Sequence, residues 1–325
     1  MTLAQLARIH PRWVDAGIRI DRAPAAMWLA LQAVALLPTW HWMVQRWRDG
    51  SDDPLGPLAL AALGVLLWQQ RRDMRAAPAL GRLALAVALT LLATVLRSGF
   101  FGLPALPPLL IGLLSVCALA CGALAFLPRR VAALPVLGLA ALALPLLSSL
   151  QFYAGYPLRV LTAEASRWLL APLFTTAREG SSLWVDGHRV IVDAPCSGVQ
   201  MVWLGYFTAC AVALFPLPGA APLSSRSFLA RLSAVGAMVL LGNVLRNAVL
   251  VGLEGGGHAL PAWAHEALGL GVLAAVCGAT AWLMARPARR AHATRGEDAM
   301  DASSPSVLSH PSSRRFGARH ADARP

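Results

Sequence analysis

Long apolar stretches separated by short polar connections divide the sequence, and this pattern limits the possible folds more than any other feature. A helix needs about 20 apolar residues to cross the ~30 Å hydrocarbon core of a bilayer. Eight stretches approach or exceed that length, the second being the shortest, and they cover residues 25–43, 55–70, 79–96, 104–127, 131–150, 197–216, 228–251 and 263–285. The pattern predicts an all-α fold, a polytopic transmembrane helix bundle of about eight spans.

The composition supports a membrane protein. Hydrophobic residues make up 57% of the chain and charged residues only 14%, against about 25% charged in a soluble domain. This excludes disorder for most of the chain and argues against an ordinary soluble enzyme. All 28 basic residues are Arg, and with 16 acidic residues they give a net charge of +12. Because they are scattered between apolar blocks, we expect no nucleic-acid partner.

The distribution of arginine predicts the orientation of the chain. If the N-terminus is cytoplasmic, 19 of the 28 Arg fall on the cytoplasmic side and seven outside. The positive-inside rule then favours cytoplasmic N- and C-termini. The predicted organisation is a cytoplasmic segment over residues 1–24, a transmembrane domain over 25–285, and a disordered Arg- and Ser-rich cytoplasmic tail over 286–325.

The segment 151–195 is the longest predicted connection outside the membrane. Its first part, PLRVLTAEASRWLLAPLF, has apolar residues at helical spacing and is expected to form an amphipathic helix on the membrane surface. Its second part, LWVDGHRVIV, has two β-prone runs around Asp186-Gly187, a preferred pair for a tight hairpin turn. We therefore expect a short hairpin-like segment leading to the outer end of the sixth span.

Cys196 lies where this segment meets the predicted start of a helix, in the sequence DAPCSGVQ. The unpaired N–H groups at a helix N-terminus favour a thiolate, which is the nucleophilic form. Ser197 suits a capping position, and Gly198 leaves room for close approach of a substrate backbone. The alternative interpretation, a small buried hydrophobic residue, is the one we assign to the four cysteines inside spans, namely Cys117, Cys121, Cys210 and Cys277.

Arg246 lies within the seventh span, in the outer third, with Asn243 and Asn247 beside it. An arginine inside a span costs at least ~2.5 kcal/mol and is a functional candidate. The alternative is an interfacial side chain that snorkels to the headgroups. The two Asn favour a polar seam, whereas snorkelling is the expected role of Arg82 and Arg97 at span ends.

His265 begins the eighth span at the membrane face predicted for Cys196, whereas His258 lies in a Gly-rich connection and is expected to be solvated. Topology thus places Cys196, Arg246 and His265 at a similar depth. A thiol, a base and a fixed cation are the groups needed for acyl transfer. No motif in the sequence indicates a metal or an organic cofactor.

These residues resemble the exosortase/archaeosortase family. The similarity consists of Cys-Ser-Gly over 196–198, then Asn243-x-x-Arg246, then His265-x-x-x-Gly269, each on a late span, preceded by the strand-like approach LWVDGHRVIVDAPCSG. The motifs cover about 90 residues, and the earlier spans match only as generic apolar helices. The Arg-rich tail and Pro195 before the cysteine depart from many members.

The resemblance implies a membrane-embedded cysteine transpeptidase or protease in the cell inner membrane, with its site at the outer face. Its partners would be exported proteins with a C-terminal motif, a transmembrane helix and an Arg cluster, which it cleaves and transfers to a surface acceptor. By position, Cys196 would be the nucleophile, Arg246 the transition-state or substrate-carboxylate clamp, and His265 the general acid/base. Ser197, Gly198, Asn243 and Gly269 would support them.

Two other classes of protein remain open from the residues alone. In a polytopic transporter, Arg246 would be an intramembrane substrate or counter-ion site. Internal repeats and broken helices near the midplane would favour that class. A polysaccharide-secretion scaffold would have a structural arginine and no chemistry.

Overall fold

The computed structural model describes residues 24–50, 55–98, 106–191, 197–216, 223–256 and 261–286, and these are mainly helical. The first five helices are α1 (Ala25–Ala35), α2 (Leu37–Arg48), α3 (Gly56–Gln70), α4 (Leu80–Ser98) and α5 (Pro108–Phe126). They are followed by α6 (Ala133–Leu142), α7 (Leu147–Leu170), α8 (Val199–Leu214), α9 (Ser225–Gly255) and α10 (Ala262–Ala285). A small sheet of β1 (Thr176–Glu179), β2 (Ser182–Val185) and β3 (His188–Ile191) lies between α7 and α8.

The polytopic helical fold is confirmed, because each predicted apolar block contains helix. Among the described residues, four helices are long and apolar enough to cross a membrane: α4, α5, α9 and α10. The bent pair α6–α7 makes a fifth if it counts as one span, and α1, α3 and α8 are shorter apolar helices. The count of eight spans therefore stays a prediction. Many large apolar side chains on these helices are exposed, as lipid-facing surfaces require.

The block 131–150 was expected to be one continuous span, and the structure corrects this. The helix breaks after Leu142 and resumes at Leu147 with a bend of 90°. Pro145 lies in the break; it has no N–H to donate and disfavours helical backbone in the residue before it. The indole Nε1 of Trp203 donates to the exposed carbonyl of Leu142 at 3.1 Å, which satisfies the end of α6.

The predicted surface helix of segment 151–195 is not a separate element. It is the continuation of α7, which begins before the segment and includes Pro157. The apolar residues Leu161 and Trp168 are exposed, whereas the buried residues of α7 include the small or polar Gly155, Thr162 and Ser166 beside large apolar ones. Part of the predicted apolar stripe thus faces outward, and α7 packs against α8 and α9.

The predicted hairpin is confirmed. Strands β2 and β3 are antiparallel around Asp186 and Gly187, which have φ of 48° and 83°. Positive φ at both central residues is the requirement of the type I′ turn that connects strands tightly. The structure adds β1, which pairs with β2 and was not predicted. Leu183 and Val185 of β2 are fully buried and pack on α7 and α9.

An ion-pair network ties the sheet to α7. The carboxylate of Glu164 accepts hydrogen bonds from the guanidinium groups of Arg167 at 2.6 Å and of Arg178, on β1, at 2.6 Å. The indole N–H of Trp168 donates to the same carboxylate. These bonds, that from Arg167 first, lower the pKa of Glu164 to about 2. Glu164 lies in the predicted outer segment. Its bond with Arg178 holds β1 against α7.

The late helices pack around α8. Trp203, buried and stacked on Phe207, belongs to the same apolar cluster as Val235 and Val239 of α9. A second cluster joins α2, α3, α5 and α6 around Met43. The predicted segment 1–24 and tail 286–325 lie outside the described residues except for Pro24 and Arg286.

Candidate functional site

The start of α8 is built around Gly198, which is the N-cap residue with φ +79°. Only glycine adopts this left-handed conformation without strain. The hydroxyl of Ser197 donates to Oε1 of Gln151 on α7 at 2.9 Å and accepts from the N–H of Val199 at 3.4 Å. The turn before α8 is thus held by α7 as well as by its own backbone.

Gly198 lies directly against the side chain of Asn243 on α9. A Cβ at Gly198 would be 2.7 Å from Cγ of Asn243. The room that glycine leaves is therefore occupied by Asn243, where the sequence suggested space for a substrate backbone. Asn243 is 1% exposed, and its Nδ2 donates to Oγ1 of Thr162 on α7 at 3.1 Å. The first two predicted motifs meet at this contact.

Asn247 continues the buried polar face of α9. Its side chain is 2% exposed, and its Nδ2 donates to the backbone carbonyl of Asn243 at 2.8 Å. Ser166 of α7 donates to the carbonyl of Val244 at 3.4 Å. Both Asn therefore face protein, in keeping with the polar seam that the sequence suggested. A buried amide is tolerated when its donors find acceptors, as they do here.

Arg246 packs against Gly269 of α10, which joins the second and third motifs. A Cβ at Gly269 would be 3.2 Å from both Nε and Nη2 of Arg246. Glycine at this position lets the guanidinium pack closely against α10. The Nε of Arg246 is buried, and among the described residues it has no hydrogen-bond acceptor. The Nε–H of Arg246 is therefore a desolvated donor that an anionic group could accept from.

His265 lies in the first turn of α10, four residues before Gly269, so the two residues share a helix face. Its Nδ1 is 3.9 Å from Oε1 of Glu254, in the last turn of α9. Glu254 had not been singled out from the sequence. The only signal for Glu254 in the sequence is its position at the end of the seventh predicted span, which a short connection joins to the eighth.

Cys196 lies outside the described residues, together with the rest of 192–196, and so does His258. The described chain ends at Ile191 of β3 and resumes at Ser197, next to Gln151 and Gly198. The described contacts thus join Gly198, two residues after Cys196, to Asn243, and Arg246 to Gly269, which shares a helix face with His265.

Helix α7 is the part of the site that the sequence analysis missed. It was assigned to a surface segment, yet it supplies Gln151 to Ser197 and Thr162 to Asn243. The recurrence of small or polar residues at 151, 155, 162 and 166 is a helical signal that could have identified this buried face.

The other predicted residues lie elsewhere. Arg82 donates to the carbonyl of Leu124 at 2.9 Å and Arg97 to the hydroxyl of Thr39 at 3.0 Å, so both bind neighbouring helices where snorkelling was expected. The four cysteines within helices are free, Cys121 and Cys210 being buried and Cys117 and Cys277 half-buried. Within the described ranges, no group of three or more His, Cys, Asp or Glu side chains is arranged to hold a metal ion.

The family is decided by comparison with known proteins. The sequence model of the family described as Transmembrane exosortase (Exosortase_EpsH) matches residues 47–282, most of the chain. The protein belongs to the transmembrane exosortase family. No curated protein and no solved structure matches it.

Membership has direct consequences. Exosortases are multi-pass membrane proteins and a family of cysteine transpeptidases that act on exported proteins with C-terminal sorting signals. The match covers helices α3 to α9 and α10 as far as residue 282, and thus the residues of the three motifs and their contacts.

Proposed function

We propose that this exosortase cleaves the C-terminal sorting signal of exported proteins and transfers the new C-terminus to a surface acceptor, with Cys196, Arg246 and His265 as its catalytic residues. The observation that carries the proposal is the pair of contacts Gly198–Asn243 and Arg246–Gly269. These contacts join the helices that carry the three motifs, which supports placing the motifs in one site.

Each group has a role in acyl transfer. The thiolate of Cys196 attacks the scissile carbonyl of the substrate, and His265 accepts the thiol proton and delivers it to the leaving amine. The guanidinium of Arg246 donates to the oxyanion of the tetrahedral intermediate or to a substrate carboxylate. An acceptor nucleophile then attacks the thioester and releases the enzyme.

The supporting residues hold these groups in place. Ser197 and Gly198 fix the backbone next to Cys196, and Asn243 connects that backbone to α7 and α9. Gly269 admits the guanidinium of Arg246. Because a shift of ~1 Å in a reacting group can cost about a hundredfold in rate, such contacts matter as much as the reacting groups.

We further propose an inner-membrane location, cytoplasmic termini and a site at the outer face. The arginine distribution supports this orientation. In the same orientation, the Arg cluster of a sorting signal stays cytoplasmic while its motif reaches the outer face. A topology reporter inserted at the exposed 186–187 turn should behave as extracytoplasmic. Cytoplasmic behaviour would refute the orientation.

The function is tested by co-expression with a tailed candidate substrate and by following the substrate's size and release from the membrane. We expect Cys196→Ala and Cys196→Ser to abolish processing. A variant in which the other four cysteines are replaced together serves as the control and should remain active. Near wild-type processing by Cys196→Ala would rule out thiol catalysis.

Arginine variants test the clamp. Losing an oxyanion donor costs ~3 kcal/mol, about a hundredfold in rate, and Lys does not reproduce the planar fork. Arg246→Lys should therefore fail almost as badly as Arg246→Ala. Arg231→Lys is the matched control on α9, because Arg231 binds the carbonyls of Leu283 and Met284, which an ammonium also satisfies. If Arg246→Lys keeps most of the activity, Arg246 is an interfacial anchor.

A further inference from the structure

The ends of α9 and α10 are joined by a carboxylate and an imidazole. Oε1 of Glu254 lies 3.9 Å from Nδ1 of His265, and the two side chains are 38% and 37% exposed. A pair of polar side chains this exposed adds little to stability. If His265 transfers protons, however, the Glu254 carboxylate can affect catalysis.

A carboxylate next to one ring nitrogen determines the tautomer of histidine. A proton on Nδ1 faces the carboxylate and leaves Nε2 as the acceptor. Catalytic hydrogen bonds are often long in the resting enzyme and shorten in the substrate complex. We infer that Glu254 is a positioning residue that holds His265 as the Nδ1–H tautomer, with Nε2 as the nitrogen that exchanges a proton with the thiol. The inference rests on the proposed function, which makes His265 the general acid/base.

The charged groups around His265 single out Glu254. Arg246 contacts the same face of α10 one turn further along, at Gly269. Glu266 is adjacent in sequence, but consecutive helix residues do not face each other, and Glu266 is exposed. Within the described part of the chain, Glu254 is the carboxylate paired with His265. Glu266 is therefore a matched control, because it has the same charge as Glu254 but its side chain does not face His265.

The test compares full-length protein with 15N-labelled histidine in lipid nanodiscs, as wild type, Glu254→Gln and Glu266→Gln. The His265 signals are assigned from their loss in His265→Gln. The 15N shifts distinguish protonated from unprotonated ring nitrogens. We expect Nδ1–H in wild type and in Glu266→Gln, and an increased share of Nε2–H in Glu254→Gln.

Steady-state processing of a tailed substrate gives the second readout. Replacing the orienting Asp of a Ser-His-Asp triad by Asn costs about 10⁴-fold in kcat. For a more exposed pair we expect at least a ~10-fold fall in kcat for Glu254→Gln with KM unchanged, and no change for Glu266→Gln. Glu254→Asp keeps the charge and should recover part of kcat.

Two results would overturn the inference. If Glu254→Gln leaves the 15N shifts of His265 unchanged, Glu254 does not set the tautomer. If Glu254→Gln leaves kcat unchanged, a positioning role is excluded. An active His265→Ala would instead refute the catalytic role of the histidine. The 15N spectra do not depend on activity, so these failures are distinguishable.

Discussion

Replacing Gly198 by alanine perturbs two features of the site at once. The residue has φ +79°, and its missing Cβ would lie 2.7 Å from Cγ and 2.9 Å from Nδ2 of Asn243. Real Cβ atoms do not approach other atoms so closely, so Asn243 must move. It is buried and bonded to Thr162, so we expect the movement to strain or break that bond.

The magnitude follows from these two effects. The left-handed conformation costs an alanine ~1–2 kcal/mol. Loss of the bond from Asn243 to Thr162 adds ~1 kcal/mol, the net value of an ordinary hydrogen bond. We expect Gly198→Ala to lower the free energy of unfolding by about 2–3 kcal/mol. Processing should fall further than the folded fraction does, because Gly198 is two residues after the proposed nucleophile Cys196 in the sequence.

Gly187→Ala separates the two effects. Gly187 has φ +83° but no atom within 4 Å of a Cβ placed there, so only backbone strain is added. Unfolding of both variants in mixed micelles, alongside processing at matched expression, measures the difference. We expect Gly187→Ala to lose ~1 kcal/mol less stability and to keep its activity. Equal losses of stability and activity in the two variants would refute the argument that Gly198 acts through Asn243.

Two further predictions concern the third motif and the sheet. Gly269→Ala brings a Cβ to 3.2 Å from the guanidinium of Arg246, so processing should fall, although alanine is the better helix former by roughly 0.5–1 kcal/mol. In the control Gly271→Ala, the new Cβ meets no atom within 4 Å, so this variant should be stable and active. Equal activity in the two variants would contradict the packing role of Gly269. Glu164 has its pKa lowered to about 2 by its Arg partners, so its contribution to stability is complete above the unfolded value near 4.5 and is lost as the pH falls towards 2. The difference in melting temperature between wild type and Glu164→Gln should therefore shrink below pH 4.5, and a difference independent of pH would show that the ion pairs do not stabilise the sheet.

Local sequence signals predicted the elements that depend on local chemistry. The apolar blocks became helices because burial in lipid requires every backbone group to bond within its own segment. Asp186-Gly187 became the hairpin turn because its two residues accept positive φ. The break at Pro145 was also visible in the sequence, and it was missed because hydropathy alone was used to delimit the block.

The site was predictable only in part, since its contacts join distant residues. Motif order and topology predicted Cys196, Arg246 and His265 at one membrane face. The contacts of α7 with this region could not be predicted from the sequence, because Gln151 contacts a residue 46 positions away and Thr162 one 81 positions away. Such pairings depend on the bend between α6 and α7, which turns α7 back against α8 and α9.

The packing of Arg246 fits the role that we propose for it. An arginine within a span is costly, and its Nε is buried with no acceptor among the described residues. Gly269 keeps the guanidinium in this position by leaving space for it, while neutral Asn243 and Asn247 line the adjacent face of α9. A carboxylate in their place would neutralise the cation and compete with the reaction. In the role that we propose for Arg246, an anion that forms or binds beside it relieves this unfavourable burial. The interaction would then be stronger in the transition state than in the resting enzyme, which is the condition for it to increase the rate.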